Sequence, residues 1–302
     1  MRLLSICVFL LILAPVISGQ QFPDPEFNTS VESPAYSRSG PRVLFDEAHH
    51  NFHTTDGRYK PFVDLMTNDG YQVIRNRKPF TKQSLDSFKM LVIANALGAE
   101  EMDDEGSDQS AFTEEEIKAV YDWVRGGGAL LLIADHAPFG GAAATLGTKL
   151  GVDMSKGYTF DAANALPQSP SFLIFSRENK LLGPHPIFEG RNEKERVSKV
   201  LSFTGQSLKG PEESSSILKL ADTAQDSANH EQKALVSAAG RGQALAFKVG
   251  RGRVVVHGEA AMLSAQIAGQ EKFKMGMNYD GFDNKQYALN LMHWLSGLLK
   301  EK

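Results

Sequence analysis

The chain has 302 residues, of which 42% are hydrophobic and 23% are charged, values that are ordinary for a globular protein. Its formal net charge is −4, so it lacks the basic signature of nucleic-acid binding, and we expect no nucleic-acid partner. The length allows one large α/β domain or two small ones.

The first 19 residues have the pattern of a secretory signal peptide: a short basic start, the apolar run Leu3–Val16, and the small residues Ser18 and Gly19. The run is shorter than the roughly 20 residues that span a membrane. We therefore expect an exported protein, periplasmic or extracellular, with no transmembrane helix in the mature chain; an uncleaved anchor is the alternative. Cys7 is the only cysteine, so the mature chain would have no disulfide and no cysteine nucleophile.

Residues 20–40 are rich in Pro, Ser and Asn and are typical of a linker. From Pro41 onward, strand and helix patterns alternate. Thr113 and Glu116 form a capping-box pattern at the start of a helix. The predicted strands cover 42–47, 71–77, 90–97 and 129–136, and the predicted helices cover 58–68 and 114–125. This alternation indicates a parallel sheet with both faces covered.

The rest of the chain is less regular. Strands are expected near 200–208 and 215–222, a hairpin over 243–260 that turns at 250–252, and a last helix capped by Asp283. No repeat or low-complexity tract occurs. We therefore interpret residues 41–300 as one domain with an insertion in its middle.

Polar residues follow three of the predicted strands. Asp46 and Glu47 follow the first strand, Asp135 and His136 follow ALLLIA, and His257 lies with Glu259 after RVVV. In an open parallel sheet, ligands bind in a crevice outside the carboxyl ends of the strands. If these strands are neighbours, the three segments meet at one site. That site could bind a small ligand, with Asp46, Glu47, His50 and Asn51 as binding residues.

The stretch FDEAHHNFHT, residues 45–54, contains three of the eight histidines. His49 and His53 have the i,i+4 spacing of one helical face, and His257 could be a third ligand. Imidazole and carboxylate groups are ordinary ligands of zinc, so a divalent metal is one interpretation. However, the spacing matches no established metal motif, and HExxH is absent.

Two other interpretations remain. Without a metal, Asp135 with His136, or His257 with Glu259, could form acid–base pairs. Alternatively, these groups could be structural, because Asp at a strand end commonly caps the next turn through backbone N–H groups. His230, in a polar loop, and His293, in the last helix, are expected to have no role in the site.

Four segments together resemble a known family: VLFDEAH, HPIFEG, GRVVVHGEAAMLS and DNKQYALNLMHWLSG, in this order between Pro41 and Leu299. They are similar to uncharacterised bacterial proteins of the class I glutamine amidotransferase-like superfamily, and within it to the GldG and intraflagellar-transport type (GIFT) domains. The resemblance implies an α/β fold, a flavodoxin-like three-layer sandwich with a mainly parallel central sheet.

The resemblance also bears on function. Amidotransferases of this superfamily have a cysteine at a strand-to-helix elbow, where this chain has Asp135 and His136, so glutamine hydrolysis by that route is excluded. GIFT-type domains are thought to bind saccharides or lipid-linked glycans, which implies a binding protein for a small polar ligand such as a glycan. The alternative is a hydrolase, metal-assisted or acid–base, that uses the His/Asp/Glu cluster; a structural-interaction role is a third. The substrate and the oligomeric state stay open.

Overall fold

The computed structural model describes residues 21–37 and 39–300, so the predicted signal peptide lies outside the described residues. Within them, the helices are α1 (Lys60–Asn68), α2 (Lys82–Leu85), α3 (Glu114–Arg125), α4 (Phe139–Lys149) and α5 (Asn284–Ser296). Short 3₁₀ helices lie at Ala162–Asn164, Pro186–Phe188, Glu193–Glu195 and Ala261–Leu263.

In the described part of the chain, the strands occur in four sheets. They are β1 (Gln21–Pro23), β2 (Arg42–Asp46), β3 (Gln72–Asn76), β4 (Met90–Ala94), β5 (Ala129–Ile133), β6 (Asp153–Met154), β7 (Tyr158–Phe160), β8 (Ile174–Ser176), β9 (Lys199–Leu201), β10 (Leu208–Lys209), β11 (Ser215–Lys219), β12 (Gln225–Ser227), β13 (Val236–Ser237), β14 (Gly242–Val249), β15 (Gly252–His257), β16 (Ala265–Ala268) and β17 (Phe273–Gly276).

The central sheet is mixed. Its order is β3-β2-β4-β5-β15-β14-β10-β6, and β11 also pairs with β14. The pairs from β3 to β15 are parallel, whereas β14 is antiparallel to β15, β10 and β11, and β10 is antiparallel to β6. The prediction of a flavodoxin-like sandwich with a mainly parallel central sheet is therefore wrong.

The cause of this error lies in the middle of the chain. The strands that extend the sheet antiparallel come from a hairpin and from two-residue and five-residue strands between positions 153 and 249. The two-residue strands β6 and β10 are too short to show a period, and the clearest strand signals in the sequence are the uninterrupted apolar runs of the parallel strands β4 and β5. The hairpin itself was predicted correctly, since β14 and β15 pair from Val249–Gly252 to Ala244–His257.

Apolar residues alternate between the two faces of the central sheet. On β4, Met90 and Val92 belong to one buried cluster and Leu91 and Ile93 to the other. Helices α1 and α5 contribute to the first cluster, and α2, α3 and α4 contribute to the second. Because both faces are covered, every residue of β4 and β5 is buried, which explains their uninterrupted apolar sequences.

The described part of the predicted linker lies against the rest of the chain. Gln21–Pro23 pairs antiparallel with β16, in the small sheet β1-β16-β17. Further along, the hydroxyl of Tyr36 donates to Ser296 Oγ at 3.0 Å, and Asp69 Oδ1 accepts from the backbone N–H of Ala35 at 2.7 Å. These contacts hold the segment across the ends of α1 and α5.

Helix α5 attaches the irregular middle of the chain to the core. The side chain of Asn284, fully buried, accepts from Leu201 N–H at 3.0 Å and donates to the carbonyls of Leu201 and Met262. Asp283 precedes the helix as predicted, but its carboxylate accepts from the N–H groups of Ser198 and Lys199 and makes no cap bond to the helix.

A search of the described residues for membrane-spanning helices finds none of sufficient length and apolarity.

Replacement of Asn284 by alanine is expected to destabilise the protein by about 2–4 kcal/mol, because it leaves several buried backbone groups without partners at roughly 1–3 kcal/mol each. Urea unfolding would measure this loss. Asn229→Ala, an exposed change in the β12–β13 loop, is the control and should stay within about 0.5 kcal/mol of wild type. Equal midpoints for the two variants would contradict this account of α5.

Candidate functional site

The polar strand ends lie at one edge of the central sheet. Strands β2, β4, β5 and β15 are neighbours and parallel, and the register aligns Ile133 with both Ala94 and His257. The residues that follow therefore come together, as the strand pattern required. The structure adds Asn95, which sequence reasoning missed. Its side chain accepts from Asp135 N–H at 3.0 Å, and its φ is +49°.

His49 is held between two carboxylates. Its Nδ1 lies 2.8 Å from Asp46 Oδ2, and its Nε2 lies 2.8 Å from Glu116 Oε1. All three residues are buried, and the imidazole ring packs between Phe80 and Phe112 at centroid distances of 4.7 and 4.8 Å. Burial alone would lower the pKa of His49, but the bonds to Asp46 and Glu116 outweigh it and raise the pKa. The arrangement therefore holds an imidazolium.

Glu116 connects this group to helix α3. One carboxylate oxygen accepts from His49 and from Phe80 N–H, and the other accepts from the N–H and hydroxyl of Thr113. The predicted capping box is thus confirmed. The second role of Glu116, across 67 residues to His49, leaves no signal in a local pattern.

The other predicted binding residues of the turn make contacts within the protein. Glu47 accepts from the N–H and hydroxyl of Thr55 at 2.8 and 2.6 Å. Asn51 accepts from His49 N–H at 3.0 Å and donates to Ala94 O at 3.4 Å. His50 is exposed, with a φ of +47°. These contacts set the shape of the turn.

The three histidines proposed as metal ligands have different surroundings. Both ring nitrogens of His49 face carboxylates, and His257 bonds Glu259 O at 2.6 Å and Tyr287 Oη at 3.2 Å. His53 stacks on Tyr59 at 4.6 Å. Among the described residues, no group of three or more His, Cys, Asp or Glu side chains could hold a metal ion. The donor set thus gives no support to a zinc site.

His257 and Glu259 are fully enclosed. The Glu259 carboxylate accepts from the N–H groups of Ala261 and Met262 at 2.7 and 2.9 Å. Burial, and then the charge of Asp135, raises the pKa of Glu259 well above its usual value. Burial lowers the pKa of His257 to about 4, so the ring is neutral at pH 7. Their contacts close the turn after β15, and neither side chain faces solvent.

Asp135 and His136 lie nearer to the surface. Asp135 is 8% exposed and accepts from His136 N–H at 2.8 Å. Burial raises the pKa of Asp135, although the charge of His136 and hydrogen bonds from His136, Ala260 and Asn95 oppose this. His136 is partly exposed, and its Nδ1 lies 2.8 Å from Ala137 O.

Aromatic rings surround this position. His136 stacks on Tyr158 at 4.6 Å with an interplanar angle of 22°, and Tyr158 contacts His230 at 3.8 Å. On the other side, His136 lies 6.2 Å from the buried Phe139, which lies 5.3 Å from Phe52. We call these five rings the aromatic strip; its members are Phe52, Phe139, His136, Tyr158 and His230.

Tyr158 and His230 were not predicted to take part in the site. Tyr158 lies on the three-residue strand β7, which pairs with β12, and His230 lies in the loop that follows β12. Since β7 and β12 are too short to show a period, the sequence gave no signal that these two rings meet at the end of β5.

His49→Gln is expected to destabilise the protein by roughly 3–5 kcal/mol below pH 6.5, because it leaves buried carboxylates unpaired. The pKa of His49 is raised above its value of 6.5 in the unfolded chain. The stabilisation of the folded protein by protonated His49 is therefore fully present below pH 6.5, and it is lost as the pH rises through the pKa of His49 in the folded state. The difference in unfolding free energy between wild type and variant should shrink above pH 6.5.

Urea unfolding between pH 5 and pH 9 would measure this difference. His53 and His257 titrate equally in both proteins, so the difference isolates His49. His50→Gln, at an exposed position, is the control and should follow wild type. A wild-type minus His49→Gln difference that is constant with pH would show that His49 is neutral in the folded protein.

No protein-family model and no curated protein matches the sequence. Several solved structures have a similar fold. The mmIFT52 N-terminal domain is 15% identical, with a TM-score of 0.58 over 84% of this chain and 97% of that domain.

Two cytoplasmic proteins from Salmonella typhimurium are also similar. STM1381, from strain LT2, is 14% identical, with a TM-score of 0.50 over 86% of this chain and 100% of its own. STM3548 is 11% identical, with a TM-score of 0.50 over 85% of this chain and 99% of its own. At these identities, the likeness shows a shared fold and nothing about function.

Proposed function

We propose that this chain is an exported protein that binds a small polar ligand, of the saccharide class, at the aromatic strip beside Asp135. Export rests on the signal-peptide pattern of residues 1–19. The family that we propose is the GIFT/GldG type of amidotransferase-like domain without the nucleophilic cysteine. The sequence motifs support that family, and the fold likeness to the mmIFT52 N-terminal domain is compatible with it.

One observation supports the binding function: the polar groups at the sheet edge differ in their exposure to solvent. His136 and Tyr158 are partly exposed and stacked, and His230 is exposed beside them. In contrast, His257 and Glu259, one of the two acid–base pairs considered from the sequence, are completely enclosed. The accessible surface thus consists largely of aromatic and imidazole rings, whereas the titratable side chains of His257 and Glu259 are buried.

This combination suits a saccharide. A sugar ring has an apolar face of C–H groups, which packs on aromatic rings, and a rim of hydroxyls, which requires a few polar partners. Binding sites for small molecules generally combine aromatic walls with a small number of placed polar groups. Asp135 and the imidazole of His136 are such groups: His136 stacks on Tyr158, and Asp135 is near enough for its charge to raise the pKa of Tyr158 after the larger effect of burial.

Tyr158→Ala is expected to weaken saccharide binding about tenfold, since a stacked ring contributes roughly 0.5–1.5 kcal/mol beyond its buried area and tenfold corresponds to about 1.4 kcal/mol. The mature protein would first be screened on an array of neutral and acidic oligosaccharides. Calorimetric titration would then give the affinity for the best one. Tyr121→Ala, a partly exposed tyrosine on α3 outside the strip, is the matched control. Absence of binding to every saccharide would refute the proposal.

One observation favours acid–base hydrolysis as a second candidate. Burial raises the pKa of Asp135, which is 8% exposed, and a raised pKa is the direction that suits a general acid. If the protein hydrolyses the saccharide it binds, Asp135→Asn should reduce turnover at least 100-fold, the lower range for loss of a general acid. Product analysis of the best ligand would test this, with the fold checked by circular dichroism. Turnover unchanged in Asp135→Asn would exclude Asp135 as the acid.

A further inference from the structure

Arg58, in the segment between β2 and α1, has an unusual position at the end of the aromatic strip. Its Nε donates to Gln21 O at 3.1 Å, and its guanidinium lies 4.0 Å from the centroid of Phe52. Its own backbone carbonyl accepts from Ser264 Oγ. The first two contacts hold the side chain in place, and neither supplies a negative counter-charge.

Arg58 pairs with no carboxylate in the described part of the chain. Two arginines of the following segment behave differently, since Arg75 forms an ion pair with Asp56 at 2.9 Å and Arg77 lies 3.5 Å from Glu47. Within the same described residues, no hydrogen bond uses the two terminal nitrogens of Arg58. A guanidinium stays charged in proteins, so a partly buried one without a counter-charge is costly. This arrangement points to an anion supplied from outside.

A second unpartnered group lies close to Arg58. His53 is 3% exposed, and its Nδ1 is buried without a hydrogen-bond partner among the described residues. Burial, and then the charge of Arg58, lowers the pKa of His53 to about 3, so its neutral ring can donate or accept. Buried polar atoms without partners are rare in native proteins and often mark a place for a ligand or water.

The strip and these two groups are continuous. Phe52 carries the guanidinium of Arg58 on its face, and Phe139 connects Phe52 to His136. Phe139 itself is only 2% exposed, so a ligand would contact His136 and Tyr158 at one end of the strip and Arg58, beside the partly exposed Phe52, at the other. The planar fork of an arginine matches the geometry of a carboxylate or a tetrahedral oxyanion.

We propose that the ligand is an acidic saccharide whose carboxylate or sulfate group pairs with Arg58, while its sugar rings lie along the aromatic strip. This inference rests on the proposed saccharide-binding function. It assigns a ligand class to the site and makes Arg58 the residue that selects saccharides with a negative charge.

The test compares three tetrasaccharides by calorimetry at one ionic strength: a neutral cello-oligosaccharide, an oligogalacturonate and a sulfated analogue. Wild type should bind at least one acidic probe about tenfold or more tighter than the neutral one, because hydrogen bonds to charged groups contribute roughly 1.5–3 kcal/mol. Preference for the carboxylate or for the sulfate probe identifies the group that Arg58 binds.

Arg58→Gln should remove this preference, with a loss of affinity for the acidic probe about tenfold greater than any loss for the neutral one, and Arg58→Lys should restore part of the preference. Arg77→Gln, which removes an exposed arginine outside the strip, is the matched control and should keep the preference. Because retained binding of the neutral probe reports a folded site, a misfolded variant would be recognised.

Two results would overturn the inference and leave the binding function intact: equal affinity of wild type for neutral and acidic probes, or an equal loss for both in Arg58→Gln. No binding of any probe to wild type, together with a negative array, would refute the proposed function itself.

Discussion

The shape of the sheet edge that carries the candidate site depends on the buried group Asp46–His49–Glu116. An imidazolium between two carboxylates joins the end of β2, the turn that follows it and the start of α3. Since both ring nitrogens are satisfied and the ring is enclosed by Phe80 and Phe112, the group has little freedom. Removal of His49 would leave two buried carboxylates without a counter-charge.

This constraint divides the histidine-rich turn into two parts. Asp46, His49 and Asn51 face inward and fix the backbone, and the N–H of Phe52 then bonds Asn95 O at 2.9 Å. The residues that follow, Phe52 and the buried His53, lie beside Arg58. A rigid polar turn that presents aromatic and cationic groups is well suited to recognition, because less order must be imposed when the ligand binds.

Much of this arrangement has a readable origin in the sequence. The apolar strands β2, β4 and β5, the capping box of α3 and the β14–β15 hairpin follow from local pattern, and so does the placement of Asp46, Asp135 and His257 at strand ends. Local pattern does not reveal the long-range features. These are the hydrogen bond between Glu116 and His49, the stacking of Tyr158 on His136, and the pairing of the antiparallel strands of the central sheet. These depend on short strands and tertiary packing, neither of which has a period. The histidine spacing in FDEAHHNFHT suggested metal ligands because spacing does not reveal which nitrogens are already bonded.

The most direct test of the account is the ¹⁵N NMR spectrum of the histidine side chains at pH 6.5, recorded before and after addition of zinc, with His49→Gln for assignment. The account predicts that His49 is doubly protonated, that His53 and His257 are neutral in agreement with pKa values of about 3 and about 4, and that zinc leaves all three unchanged. A neutral His49, or ring nitrogens of His49 and His53 that shift together with one equivalent of zinc, would contradict it and restore the turn as a metal-ligand cluster.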